Sequence, residues 1–564
     1  MKSVLIVVAA CSFAPAIWGQ SATDAPHFRK QGLATQLVVD GQPFLALSGE
    51  LGNNSATSLE HMQPIWPKLV EGKLNSVIAG VSWAQLEPRE GQFEFSVVDG
   101  VIQEARRHNL RLILIWFASW KNGLSSYPPD WVKRDFERYP RIQVKGGRSI
   151  ELLSTLSEAN RDADSRAFAA LMRHIREVDG QKHTVLMIQV ENEVGVLHDS
   201  RDRSETADKA FHGPVPKELM SYLQAHGDTL IPEFRDVWKQ NGSKTAGTWE
   251  EVFGPGKPEN VDVPVRSLSP PLSQDAHDRT EWRKLTWAAD EFFMAWQYAR
   301  YVNHVVEAGK AQYNIPMFVN AWLQQPDHAW PGTYPSGGPL PQVMDIWKAG
   351  APSIDMLSPD LYLQYFDEVC ARYTRQANPL FIPETSAGAS GAAHVIYAVG
   401  RYNAIGFSPF FIERIAGSDP DLASSYDLLS QLSPVILEHQ GKGTMNAVLL
   451  NPEDPPQKVK VGNYTVEAQY VARRQGGGPA GPAAAILIAT GPDEYLIAGS
   501  GLSFAFTPNT PGPPNVGLGT VEEGSFAGGI WVPGRRLAGD DTGQGESLSL
   551  RNKGILRVTL YRYR

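Results

Sequence analysis

The chain has 564 residues, 42% hydrophobic and 20% charged, with a formal net charge of −9. That length suits one large domain plus a smaller one, or three ordinary domains, and the composition is that of a globular protein. The acidic balance argues against nucleic acid or an anionic membrane surface as a partner and is compatible with an uncharged substrate.

The first stretch, MKSVLIVVAACSFAPAIWGQSA, carries Lys2, then an apolar core, then small residues. It reads as a secretory signal over 1–19, which predicts an exported protein, periplasmic or extracellular. VAAC at 8–11 resembles a lipoprotein box, but the apolar segment before it is short and continues past it. The two cysteines are Cys11 and Cys370. With the leader removed, one thiol remains and no intramolecular disulfide is expected. No later segment is long and apolar enough to span a membrane.

Eight short apolar runs follow: PFLALSG (43–49), NSVIAG (75–80), LRLILIWF (110–117), HTVLMIQV (183–190), IPMFVN (315–320), SIDMLSPDLYL (353–363), PLFIPET (379–385) and AIGFSPFFI (404–412). Helical periodicity lies between them, as in 97–109, 166–178 and 290–309. Buried parallel strands read as continuous apolar runs, and eight alternating with helices predict an α/β fold, a (β/α)8 TIM barrel over 24–443. The long gap after the fourth run, 196–288, is an insertion rich in Pro, Gly, Asp and His. On a barrel it either walls a substrate cleft or serves as a surface elaboration or homodimer contact. Over 445–564 short alternating runs are separated by Gly/Pro turns, which predicts a C-terminal antiparallel, β-sandwich-like domain. Packing on the barrel is the expected role of that domain, polymer binding the alternative.

Barrel active sites gather at the C-terminal ends of the strands. Run four ends in Glu191-Asn192-Glu193, and run seven ends in Glu384. Carboxylates on strands four and seven face each other across the mouth and fit a pair with divided roles. Retaining glycoside hydrolysis needs such a pair about 5–5.5 Å apart, and inversion one about 6.5–9.5 Å apart. Aromatic and amide side chains at other strand ends, Trp83, Trp116, Trp120, Asn122, Asn320, Trp322 and Tyr362, are candidates for substrate binding. For the four Trp, core packing and a stacking platform for a sugar are both open. The thirteen His form no HExxH or close His/Asp cluster, and there is no P-loop. No metal and no cofactor is expected.

FLALSGELGNNSA (44–56), LNSVIAGVSWAQLEPREGQFEFSVVDG (74–100), WFASWKNGLSSYPPDWV (116–132), IQVENEVG (188–195) and FIPETSAG (381–388) resemble glycoside hydrolase family 35, retaining β-galactosidases, over roughly residues 33 to 415. NAWLQQP, YPSGGPLPQVMDIWKAGAP and SPDLYL resemble a bacterial branch with a small C-terminal β domain. The resemblance implies Glu193 as acid/base, Glu384 as nucleophile, Asn192 as partner of the sugar 2-OH and Tyr362 as orienting group for the nucleophile. Glu191 is then a structural charge paired with a cation. Alternation along a strand would place Glu191 and Glu193 on one face, so the strand must bulge or end there. One departure stands out: most such enzymes carry Ala-Glu-Trp after strand three, and this chain has Ala118-Ser119-Trp120, with Lys121 and Asn122 as candidates to replace the missing charge. The expected activity is removal of terminal β-linked galactose from plant-derived oligosaccharides. The alternatives are a barrel glycosidase of other sugar specificity and a non-catalytic carbohydrate-binding protein.

Overall fold

The computed structural model describes residues 24–263, 285–326, 328–471 and 481–564. The leader expected over 1–19 and residues 264–284 of the insertion lie outside that range.

Three short antiparallel strands come first, β1 (His27–Gln31), β2 (Ala34–Val39) and β3 (Gln42–Phe44). The barrel strands are β4 (Ala46–Leu47), β5 (Ser76–Ser82) and β6 (Arg111–Lys121). After a side hairpin, β7 (Arg141–Val144) and β8 (Arg148–Leu153), they continue as β9 (Val185–Asn192), β10 (Met317–Trp322), β11 (Met356–Leu361), β12 (Phe381–Thr385) and β13 (Gly406–Pro409). They pair in parallel in the order β4-β13-β12-β11-β10-β9-β6-β5. The ring closes at Glu50, which bridges Ile78 of β5 and Phe410 after β13, and Ile78 donates its N–H to Gly49 at 2.9 Å. All eight apolar runs of the sequence thus supply the eight barrel strands. Burial on both faces, complete along β9, explains why the runs lack polar alternation.

The sequence reading assigned nothing to β1–β3. Leu37 and Val39 of β2 pack with Ile113, Leu186, Phe318, Met356 and Phe381, near the starts of the barrel strands. This small sheet plugs the floor, opposite the end where strand-end side chains converge.

The described part of the insertion forms four short helices: Glu205–Phe211, Lys217–Ala225, Pro232–Gln240 and Trp249–Phe253. Their rings meet the helix Ala288–Lys310 edge-on, Phe211 and Trp249 against Phe293, Phe234 and Phe253 against Phe292. In that same helix Glu291 is fully buried and accepts hydrogen bonds from Tyr334 (2.9 Å) and Gln342 (3.2 Å). Burial pushes its carboxyl from the ordinary 4.5 up to about 7. A raised folded-state value means stability is fully present below the unfolded value and is lost as pH rises through about 7. Glu291→Gln should therefore melt later than the parent at pH 8, by up to about 3 kcal/mol, with the difference gone near pH 4. Thermal melts at the two pH values check it.

The last ten strands are β14 (Met445–Leu450), β15 (Gln457–Val461), β16 (Tyr464–Tyr470), β17 (Ala483–Gly491), β18 (Glu494–Ser500), β19 (Leu502–Pro508), β20 (Asn515–Ala527), β21 (Ile530–Leu537), β22 (Leu548–Leu550) and β23 (Gly554–Tyr563). They form a six-stranded sheet, β14-β17-β18-β23-β20-β21, and a four-stranded one, β15-β16-β19-β22. The two share a core that includes Val466, Leu487, Ile497, Phe504 and Val558. Alternate residues of β17, Ala484, Ile486 and Ile488, turn the other way and join the barrel's core with Val395, Val399, Leu429 and Leu432 of its last helices. Strands β17 and β18 of the six-stranded sheet are covered on both faces, while β21 at its edge is largely exposed.

Candidate active site

The strand-four motif departs from regular strand geometry at both carboxylates. Glu191 has φ +64° and Glu193 φ +46°, a left-handed backbone unfavourable for any residue but glycine. The two reversals separate the glutamates that alternation would have put on one face. The contacts that hold this backbone are Glu193 N–H donating to Asn320 Oδ1 (2.9 Å) and Gln189 Nε2 donating to the Glu191 carbonyl (3.2 Å). The pairing of β6 with β9 shifts register over the same stretch, between Trp116 and Lys121.

Glu193 and Glu384 come together at the mouth with a third carboxyl, Asp360 of β11, and one oxygen from each lies within 4.8 Å of the others. All three are buried. They line a cavity of about 190 Å³ with Asn122, Trp322, Leu323, Gln325, Tyr362 and Leu363. Tyr362 donates its OH to Glu384 Oε1 at 2.7 Å, and Glu384 Oε2 is buried without a donor. Asn320 Nδ2 donates to Asp360 Oδ2 at 2.6 Å and, at 3.3 Å, to Asn192 Oδ1. Asn192 Nδ2 donates to Asn122 Oδ1 at 3.3 Å. Glu50, at the closure of the ring, is buried with neither oxygen meeting a donor.

Burial, then the neighbouring Glu384 charge, raises Glu193 from 4.5 to about 7, against the pull of Lys121. Burial also drives Glu50 and Asp360 well up, with Glu384 the strongest like charge on each. Tyr362 is pushed far up by burial and Glu384, so its phenol keeps its proton. Four carboxyls so close cannot all ionise in a water-poor mouth. The arrangement supports proton transfer: an acid that holds its proton to about neutral pH beside a carboxylate with a free buried oxygen. The same three carboxyl oxygens are close enough to meet a cation, but hydrogen-bond donors from Tyr362 and Asn320 already occupy two of these side chains.

Among the expected residues, Glu193, Glu384, Asn122, Trp322 and Tyr362 line the cavity, and Asn192 and Asn320 stand directly behind it. Trp83, Trp116 and Trp120 do not reach it, which corrects the expectation that they form sugar platforms. Their rings are fully buried. Trp83 donates to Glu87 (2.7 Å), Trp116 to Asp164 (2.8 Å) and Trp120 to the Leu153 carbonyl (3.1 Å). None of the described insertion residues lines the cavity either. Asp360 and Glu50 were missed, although both lie in stretches that stood out, SPDLYL and SGELG.

Among the described residues Glu191 has no cation partner, contrary to expectation. Its oxygens accept the backbone N–H groups of Ser119 (3.1 Å) and Trp120 (2.8 Å). Burial and the adjoining Asp164 carboxyl hold it well above the ordinary range. Ser119 points into the same buried group, donating to Asp164 Oδ2 at 2.6 Å, and so does not substitute for the missing charge at the cavity. Glu191→Gln would retain only one acceptor for two amides. The expected result is a loss of about 1–3 kcal/mol in unfolding free energy with kcat within about threefold, as remote positioning effects go; denaturant melts and steady-state rates check it.

A parallel eight-stranded barrel with paired carboxyls at the ends of its fourth and seventh strands is the framework of the barrel glycoside hydrolases. Residues 58–370 match the family model of glycoside hydrolase 42, described as beta-galactosidase, and the chain belongs to that family. This corrects the resemblance to family 35. Residues 422–549 match a domain of unknown function, DUF5597. A beta-galactosidase of Xanthomonas manihotis is 31% identical over 189 residues, which are 31% of this chain and 27% of that protein. Among solved structures, a catalytic mutant of Gan42B, a GH42 beta-galactosidase from G. stearothermophilus, aligns over 93% of this chain and 99% of its own at 11% identity and TM-score 0.44. The beta-galactosidase from Bacillus circulans sp. alkalophilus aligns over 70% and 57% at 15% identity and TM-score 0.43. Among the described residues no helix is long and apolar enough to cross a membrane.

Proposed function

We propose that the protein is an exported, exo-acting, retaining β-galactosidase that removes terminal β-linked galactose from plant-derived oligosaccharides. The observation that carries this reading is that one oxygen of Glu193 and one of Glu384 lie within 4.8 Å of each other, an approach that fits a retaining pair, with carboxyls about 5–5.5 Å apart, better than an inverting pair at about 6.5–9.5 Å. Glu193, protonated up to about pH 7, donates its proton to the glycosidic oxygen as Glu384 attacks the anomeric carbon. Glu193 then returns as base for the water that releases the sugar. Tyr362 fixes one oxygen of Glu384 and leaves the other for attack. Asn192, assigned to the sugar 2-OH by the motif resemblance, stands behind the cavity, bonded to Asn122 and Asn320.

The small cavity supports exo action: about 190 Å³ lies below the roughly 300–1,000 Å³ of pockets for drug-sized ligands and suits one terminal ring. Galactose as the sugar follows the family's description. Export rests on Lys2 and the apolar stretch behind it, and the plant origin of the substrate on the motif resemblance.

A panel of aryl glycosides tests the reading. The β-galactoside should turn over fastest, with retained configuration in the first-formed sugar. Turnover confined to another sugar would reassign the specificity. Binding without turnover, unchanged by Glu384→Gln, would make the protein a lectin-like binder instead.

A further inference from the structure

The motifs in the sequence point to a carboxyl pair, and the folded mouth holds a third member whose position is specific. Asp360 stands in register with Glu384 on the neighbouring strand. Its Oδ2 accepts from Asn320 Nδ2, and the Oδ1 of that same asparagine accepts the Glu193 N–H. Asp360 Oδ1 is buried and meets no donor. One oxygen of the Asp360 carboxyl lies within 4.8 Å of one oxygen of Glu193. Two carboxylates repel when so near, which favours a proton on one of them. The titratable groups that act with Asp360 are Glu193 and Glu384 beside it, together with Glu50, Tyr362 and Tyr373. Lys121 acts on Glu50 and Glu193. With Asp360 Oδ2 held by Asn320, the free Oδ1 is the atom to carry a proton.

The geometry points to Asp360 as a proton-holding positioning residue that stays neutral through the cycle and donates a hydrogen bond to Glu193 once Glu193 has given up its own proton. This rests on the double-displacement reading above. In the first step the Glu193 proton passes to the leaving oxygen, the bond from that oxygen to the anomeric carbon breaks, and Glu384 bonds to the carbon. Negative charge thereby leaves Glu384 and arrives on Glu193, where the Asp360 O–H meets it. In the second step Glu193 takes a proton from water, the water oxygen bonds to the anomeric carbon, and Glu384 departs as a carboxylate. Asp360 keeps its proton in both steps, and only substrate and water are consumed. Its support is therefore unequal: it favours the ionised Glu193 that the second step requires.

Burst kinetics with an aryl β-galactoside bearing a good leaving group separate the two steps, because the first then needs little acid assistance. Absence of turnover by the parent enzyme on every aryl β-galactoside overturns the functional reading itself, before any variant is compared. Given turnover, Asp360→Ala removes the donor and should slow the second step about tenfold or more while the burst rate falls less than about threefold. Asp360→Asn retains an amide donor and cannot ionise; it should restore most of that second-step loss and keep the basic limb of the pH profile within about 0.3 unit. A basic limb that moves down by about one unit in Asp360→Asn would mean Asp360 works as an anion and overturns the inference. Equal slowing of both steps in Asp360→Ala overturns it too. If Asp360→Ala does not fold, the pH profile of Asp360→Asn decides.

Discussion

Glu384→Gly is expected to cost roughly 10⁴-fold or more in turnover, the scale of losing a covalent nucleophile. Its oxygen without a donor, Oε2, lies in the mouth, and on the mechanism above Asp360 keeps its proton while Glu193 sits on the acid side, so neither takes its place at the anomeric carbon. Removing the side chain leaves a hole where a small anion fits. Added azide should restore turnover of an activated substrate and give a glycosyl azide of inverted configuration relative to the substrate. Product analysis by NMR reads this directly. Rescue with retained configuration would mean that the attack comes from another side chain, and the pairing of roles would be wrong.

Glu193→Ala is the second large effect, and it falls unevenly. With a poor leaving group both steps need Glu193, and the loss should be about 10²–10⁴-fold, the usual contribution of a positioned acid/base. With a good leaving group the first step is largely spared, so glycosyl-enzyme accumulates and KM falls along with kcat. On the proposed mechanism, the basic limb of the parent enzyme's pH profile is expected to report Glu193. Its carboxyl must be protonated at the outset, and it is held up to about 7. Activity should decline as pH rises through about 7, and that limb should vanish in Glu193→Ala with an activated substrate. Comparing pH–rate profiles for leaving groups of different acidity checks both statements.

Much of the site was legible for a chemical reason. A carboxylate at the end of a buried apolar strand is costly to place, and Glu193 and Glu384 each end one. The direction of Trp83, Trp116 and Trp120 was not legible. LRLILIWFASW is apolar from Leu112 to Ala118, between Arg111 and Ser119, so nothing in its alternation marks which side faces the barrel's interior. The left-handed turns at Glu191 and Glu193 are made by contacts with Asn320 and Gln189, and a strand period cannot foresee them. Asp360 escaped because it sits within an apolar run, two residues before the more conspicuous Tyr362. The β2–β3 hairpin did leave a signal: Asp40-Gly41 between alternating residues, both at positive φ (+51° and +77°), is a two-residue hairpin turn. The family was misread because Asn-Glu on strand four and Glu on strand seven are dictated by the shared chemistry and do not separate one barrel glycosidase family from another.

The six-stranded sheet, packed between the barrel and the four-stranded sheet, has a thermodynamic consequence. Its contact with the helix Gly388–Tyr402 is close: a Cβ at Gly400 would lie 2.7 Å from the Ala447 side chain and 2.9 Å from that of Ile486. Ile486, Ile488 and Leu496 bury their side chains in the barrel's core, each contributing about 1.5–3 kcal/mol by burial. Neither body can lose its partner without uncovering apolar surface on both. Heating should then melt the whole chain in a single cooperative transition, and a barrel truncated near residue 443 should aggregate on expression where the full chain remains dispersed.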